Sequence, residues 1–178
     1  MSVDANFFVT VPDAGGSDDF HTGKFLTVNY NYYLLPWLGL TSGFFASEEI
    51  LDNVQADIVG RYQASFKTQG MTVGVRTEHN FSKRNGVYAR LGLLLYDTRL
   101  TVEEYFAAGL PAGSRSATTN GYGYFIAFGW AHSLTQKLQF QLELANQTQL
   151  NLFEGKTDAK HVFDLRSSGL SVGLAYVF

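Results

Sequence analysis

Cysteine is absent from the 178-residue chain, which excludes disulfide frameworks, zinc fingers, thiolate nucleophiles and Cys-ligated clusters. Charge is sparse. Asp, Glu, Lys and Arg make up 16% of the residues, where a typical soluble domain carries about 25%. The balance is slightly acidic, with a net charge of −3, so an electrostatic nucleic-acid binder is excluded. Proline occurs 3 times, too rarely for a Pro-rich disordered chain. No apolar run approaches the roughly 18 residues of a membrane-spanning helix. Mean hydropathy is near neutral. That excludes a helical membrane protein but not a membrane β-barrel, whose alternating strands average to neutrality. Met1-Ser2-Val3-Asp4 shows no basic stretch leading into an apolar run, so no signal peptide is read there. The pattern described below leads us to expect a mature chain carrying a start Met. What the chain has in quantity is rings, at 15% aromatic, and glycine, at 18 residues.

The dominant period is two residues, the repeat of a strand with one face unlike the other. Tyr122, Tyr124, Ile126, Phe128 and Trp130 alternate with Gly123, Phe125, Ala127 and Gly129. Leu138, Phe140, Leu142 and Leu144 alternate with Gln139, Gln141 and Glu143. Val87, Ala89, Leu91, Leu93 and Leu95 oppose Tyr88, Arg90, Gly92 and Leu94. Leu170, Val172, Leu174, Tyr176 and Phe178 oppose Ser171, Gly173, Ala175 and Val177. Weaker copies run from Val3 to Val11, Leu26 to Tyr32, Leu38 to Phe44 and Met71 to Thr77. Eight such segments result, each of about the 9–11 residues that cross a bilayer as a tilted strand.

The connections take turns in length. Leu34-Leu35-Pro36, Phe81 to Asn85 and Ser133 to Gln136 are short. Pro12 to Gly23, Ser47 to about Arg61, Thr101 to Asn120 and about Asn151 to Lys160 are long or polar. In an up-and-down barrel every second connection lies at the same end, so one end is trimmed and the other bears large loops, as in outer-membrane barrels. The expected fold is all-β: an eight-stranded antiparallel up-and-down transmembrane β-barrel, one domain over residues 1–178, with short periplasmic turns and long extracellular loops. Strand eight pairs with strand one, because lipid offers no water to an open sheet edge.

The faces decide the orientation. None of the bulky-phase positions named above carries charge. The opposite phase holds Asp4, Asn6, Thr27, Asn29, Asn31, Thr41, Arg76, Glu78, Arg90, Gln139, Gln141 and Glu143, with many Gly and Ala. A barrel of this size encloses only packed side chains, so the small and polar set belongs inside. A water-facing exterior as apolar as the other set would aggregate. Tyr32, Trp130, Tyr176 and Phe178 fall near the short-turn ends and are expected as lipid-interface aromatics. Arg76, Glu78, Arg90 and Glu143 are expected to form an ion-pair network in the lumen, with hydrogen bonds from Tyr88, Gln139 and Gln141. Such a network holds the lumen closed; the sharper reading makes it a gate for ions or small solutes.

Motifs for catalysis are weak. His21, His79, His132 and His161 lack metal-ligand spacing, so no metal and no cofactor are expected. His132-Ser133 is adjacent in sequence but is not an arrangement of nucleophile and base. Gly121-Tyr122-Gly123 lacks the third glycine of a dinucleotide loop. Tyr105, Phe106 and Leu110 are apolar for an exposed loop and are candidates for contact with a host or cell-surface ligand.

The terminal Gly173-Leu174-Ala175-Tyr176-Val177-Phe178 resembles the C-terminal signal of outer-membrane barrels. Gly86-Val87-Tyr88-Ala89-Arg90-Leu91-Gly92-Leu93 resembles the central strand of the OmpA-like and OmpX/Ail-like small barrels, as does Asn29-Tyr30-Asn31-Tyr32 through Pro36-Trp37-Leu38-Gly39-Leu40. The resemblance implies a Gram-negative outer-membrane location, insertion by the barrel assembly machinery, and contact with outer-membrane lipid and lipopolysaccharide. It implies a structural, adhesive or resistance-type role without catalysis, in a monomer that binds no nucleic acid. The periplasmic peptidoglycan-binding domain of full OmpA-type proteins is missing here, and the terminal Phe leads us to expect the natural end at Phe178. Three alternatives stay open: a narrow pore for small or apolar solutes as in OmpW-like barrels, a soluble lipocalin-like ligand-binding barrel, and a lipid-A-modifying enzyme.

Overall fold

The computed structural model describes residues 1–13, 23–51, 60–106, 111–154 and 163–178. Eight strands follow in chain order: β1 (Ser2–Asp13), β2 (Gly23–Leu35), β3 (Leu38–Leu51), β4 (Gly60–Asn80), β5 (Asn85–Phe106), β6 (Pro111–Ser133), β7 (Leu138–Leu152) and β8 (Phe163–Val177). Each pairs antiparallel with its neighbours in sequence, and β1 pairs with β8 to close the ring. Every backbone group along the membrane-level ladders therefore has a partner on both sides, which lipid requires. The short turns fall where the sequence places them. The Phe81–Arg84 turn is tied by the amides of Phe81 and Ser82 to the Asn85 carbonyl. The turn after Ser133 is tied by the amides of Leu134 and Thr135 to the Leu138 carbonyl.

The alternation sorts side chains as expected. Leu91, Leu93, Leu95, Phe44, Val73, Phe128, Leu144 and Leu170 stand on the outer wall, each more than half exposed. Thr27, Asn29, Asn31, Thr41, Arg76, Arg90, Gln141 and Glu143 are buried inside. This arrangement excludes the lipocalin-like alternative, in which the leucines of β7 line a central cavity. Asp4 and Asn6, expected inside, have side chains outside the described residues.

Two connections differ from the sequence reading: β3 runs on through Ser47 to Leu51, paired with β4 from Ser47↔Thr68 to Leu51↔Ala64, and the larger difference lies between β5 and β6. Thr101 to Asn120 was expected as a long loop, yet β5 continues to Phe106 and β6 begins at Pro111. The pairing is continuous from Thr101↔Ser116 back to Thr98↔Thr119. This stretch has water on both faces: Ser114, Arg115, Ser116, Ala117 and Thr118 are all exposed. With neither face buried, no apolar alternation marks the strand. With β4, at 21 residues, the 22 and 23 residues of β5 and β6 make a ribbon far longer than the bilayer crossing.

Glycine fits rings into the lumen. Tyr88 is the register partner of Gly129, Tyr96 of Gly121, Phe125 of Gly92 and Phe45 of Gly70. In each pair the inward ring lies over the glycine, where a Cβ would collide with it. Replacing Gly129 by Leu therefore displaces Tyr88, an overpacking cost of about 1–3 kcal/mol. The check is urea unfolding of the reconstituted barrel followed by tryptophan fluorescence; an unchanged midpoint would contradict the packing role.

Candidate functional site: the lumen and its two ends

The lower lumen, toward the short turns, is polar. Two successive inward rows of the sheet place the charges. One row holds Arg76 and Arg90, which are direct register partners on β4 and β5. The next row holds Glu78, Tyr88, Gly129, Glu143 and Ser171. Two like charges side by side are tolerated only if each finds an anion. Arg90 forms a two-pronged pair with Glu143, Nε to Oε2 at 2.9 Å and Nη2 to Oε1 at 2.6 Å. Both side chains are buried, at 5% and 0% exposure. Arg76 donates to Glu78 Oε2 at 3.4 Å and lies over the Tyr88 ring, 3.8 Å from its centroid.

Among the described residues the expected four-residue network shows two ion pairs, Arg90–Glu143 and Arg76–Glu78, with the Tyr88 ring under the Arg76 guanidinium. Tyr88 donates its hydroxyl to Gln141 Oε1 at 3.4 Å. Tyr33, which the sequence reading left out, donates to Glu78 Oε2 at 2.7 Å. Its signal was its phase: Tyr33 follows Thr27, Asn29 and Asn31 at intervals of two on β2. Ser171 Oγ donates to the Glu143 carbonyl at 3.3 Å. Gln139 lies in the inward phase, half-buried near the short-turn mouth.

The upper lumen corrects the expectation of polar filling throughout. Phe25, Phe45, Phe66, Leu94, Tyr96, Phe125, Leu152, Phe153 and Leu165 form one buried apolar cluster there. Phe25 and Phe45 stack with ring centroids 5.5 Å apart. Leu152 and Phe153 turn inward into this cluster, and Glu154 beside them is exposed. Phe153 packs against Phe66 at 6.5 Å, and its amide donates to Thr119 Oγ1 at 3.3 Å. Asn151 and Phe153 adopt positive φ, 56° and 59°. For Phe that conformation is strained, and the buried ring holds it there. Tyr96 donates to the Leu150 carbonyl at 2.5 Å, and Thr98 to Gln149 Oε1 at 3.2 Å. Below, the lumen is plugged by ion pairs; above, by rings.

At the short-turn end Trp130 meets Phe140 edge-on at 6.2 Å and lies beside His132 at 5.6 Å. Tyr176 meets Phe178 edge-on at 5.0 Å. Tyr32, Tyr176 and Phe178 are exposed on the outer wall with Trp130 half-buried among them. Trp37 and Phe81 on the turns extend the same girdle. At the other end Tyr105, placed in a loop by the sequence reading, is on β5 and donates its hydroxyl to Glu103 Oε2 at 2.5 Å. The Phe106 side chain and Leu110 lie outside the described residues.

A closed eight-stranded ring, apolar outside, plugged within and belted with aromatics, defines a small transmembrane barrel of the outer-membrane type. The family model for the outer membrane protein beta-barrel domain matches residues 1–178, and the chain belongs to that family. No curated protein matches it. Among solved structures it is similar to Ail, the attachment invasion locus protein of Yersinia pestis, with a TM-score of 0.58 and 10% identity, covering 99% of this chain and 97% of that one. It is similar to Neisserial surface protein A, with a TM-score of 0.59 and 14% identity over 99% and 96% of the two chains. The outer membrane protein OprG of Pseudomonas aeruginosa matches with a TM-score of 0.56 and 12% identity over 99% and 95%. These likenesses carry the fold, and with the family they place the chain in the outer membrane.

Proposed function

We propose that this protein is a surface-interaction barrel: a closed anchor that presents the β4–β5–β6 ribbon outside the cell, with an adhesive or resistance-type role and no catalysis. One observation carries the reading. β5 and β6 stay paired out to Glu104↔Gly113, whereas β7 joins β6 only from Gly123 onward, so the ribbon rises past the β6–β7 ladder. A ribbon raised clear of the bilayer, with Ser114 to Thr118 exposed, offers its surface to another protein. Ser114, Arg115, Ser116 and Thr118 there are polar and exposed, which keeps the ribbon soluble. The filled lumen supports an anchor rather than a pore. His132 Nδ1 lies 2.8 Å from Asn85 Oδ1 at the short-turn rim, a contact that suits a structural His better than a catalytic base. In this reading the barrel is a monomer, inserted by the assembly machinery and surrounded by outer-membrane lipid and lipopolysaccharide.

The test trims the ribbon without touching the membrane belt. Thr101 and Ser116 are register partners, so Val102–Arg115 can be replaced by Asn-Gly, which closes a two-residue hairpin. The trimmed barrel keeps its heat-modifiable migration on a gel. Gram-negative cells expressing the full barrel attach to epithelial monolayers or survive serum better than cells carrying an empty vector, and the trimmed barrel brings both back to the vector level. Equal attachment and survival with full and trimmed barrels, or no gain over the vector, would refute the reading.

A further inference from the structure

Just above the apolar belt, four outward residues stand in one row on adjacent strands. Lys24 on β2 faces Glu48 on β3, Glu48 faces Lys67 on β4, and Lys67 faces Arg99 on β5. They line a groove of about 500 Å³ on the outer wall. A second groove of about 560 Å³ continues toward the membrane centre, walled by Val28, Phe44, Met71 and Leu95. The two share Leu26, Ala46, Gln69 and Asp97. Ala46 is the small residue among them and forms the low floor where one groove runs into the other. The result is a single trough with a charged upper end and an apolar lower end.

The charges favour an anion. Lys24, Lys67 and Arg99 give three cations against the two carboxylates Glu48 and Asp97, a surplus of one. Lys67 pairs with Glu48 at 3.0 Å, with the two side chains 63% and 52% exposed. An exposed pair of this kind contributes little and yields to a stronger anion. Arg99 supplies a planar fork suited to phosphate oxygens, and the lysines supply point charges. The lower end lies at hydrocarbon depth, level with the Val28–Phe44–Met71–Leu95 row. A soluble anion has no use for that end, whereas an acyl chain fills it.

We propose that this trough binds a phosphate-bearing lipid of the outer leaflet, with its phosphates on Lys24, Lys67 and Arg99 and an acyl chain lying over Ala46 between Phe44 and Met71. Bound there, the lipid fixes the height of the barrel in the membrane at the base of the ribbon. The site is independent of what the ribbon contacts.

The test is native mass spectrometry of the refolded barrel with diphosphorylated lipid A, and with the same lipid after its phosphates are removed. Two triple variants are compared: Lys24→Ala/Lys67→Ala/Arg99→Ala at the trough and Lys83→Ala/Arg84→Ala/Lys137→Ala at the short turns, which removes as many cations from the opposite end. The trough variant retains at least about tenfold less of the phosphorylated lipid than wild type, since each basic residue near an anionic surface adds to binding. The short-turn variant matches wild type, and the dephosphorylated lipid binds wild type at least about tenfold more weakly than the phosphorylated one. Equal retention by the two triple variants overturns the proposal. So does equal binding of the two lipids to wild type, an arm that needs no variant to fold.

Discussion

Replacing Glu143 by Ala destabilises the barrel by about 3–5 kcal/mol, the cost of removing one member of a buried ion pair. Glu143 is fully buried and meets Arg90 at two points. Among the described residues the other inward carboxylate of these rows, Glu78, is engaged by Arg76 and Tyr33. The ion pair itself is a different matter. Its Coulombic gain is largely offset by the desolvation of both groups, so replacing both with apolar residues of similar volume is nearly neutral. The double variant Arg90→Leu/Glu143→Leu therefore recovers most of the loss. Urea unfolding in lipid vesicles, read by tryptophan fluorescence, gives both values. A loss under about 1 kcal/mol in Glu143→Ala would show that the pair is solvated or that Arg90 finds another anion. Because rings plug the upper lumen independently of this pair, neither variant opens discrete conductance steps in a planar bilayer.

The second large effect is on the opposite face. Leu93 is 61% exposed on the outer wall in the middle of the β5 belt, flanked by Leu91 and Leu95. Replacing it by Arg puts a charge at the centre of the hydrocarbon and costs about 2–4 kcal/mol. In a barrel standing in water the same exposed position would tolerate Arg within about 0.5 kcal/mol. The reverse substitution on the ribbon, Arg115→Leu, leaves stability unchanged within that margin, because the ribbon stands in water. A pair of results in which Leu93→Arg is silent would remove the membrane from the account.

The two effects show which parts of the molecule the sequence made legible. Leu91, Leu93 and Leu95 against Tyr88, Arg90 and Gly92 could be sorted because a barrel wall has two unlike solvents, and a strand between them must alternate. The same logic supplied the short turns, the closure of β8 on β1 and the inward charges. It failed where that contrast vanished. On the ribbon, both faces meet water, so Ser114–Thr118 read as loop although they are a ladder. In the upper lumen the wall separates lipid from rings, so Phe25, Phe45 and Phe125 carry no polar mark. Phe125 was read in the inward phase with Ala127, while Phe25 and Phe45, in step with Thr27 and Gly43, lay beyond the segments read as alternating. The division of Arg76, Glu78, Arg90 and Glu143 into two pairs needed the register, because Arg76↔Arg90 adjacency across β4 and β5 is set by the turn between them. The trough of Lys24, Lys67 and Arg99 was hidden for the same reason: its members are far apart in sequence and meet only across strands.

The orientation of the wall is the claim on which the rest depends, and a nitroxide scan of β5 tests it directly. The chain has no native Cys, so single substitutions from Leu91 to Tyr96 each take one spin label in the reconstituted barrel. The account predicts strong relaxation by oxygen, which concentrates in hydrocarbon, at Leu91, Leu93 and Leu95. It predicts weak relaxation at Gly92, Leu94 and Tyr96. A scan with the opposite phase, or with no alternation, would contradict it.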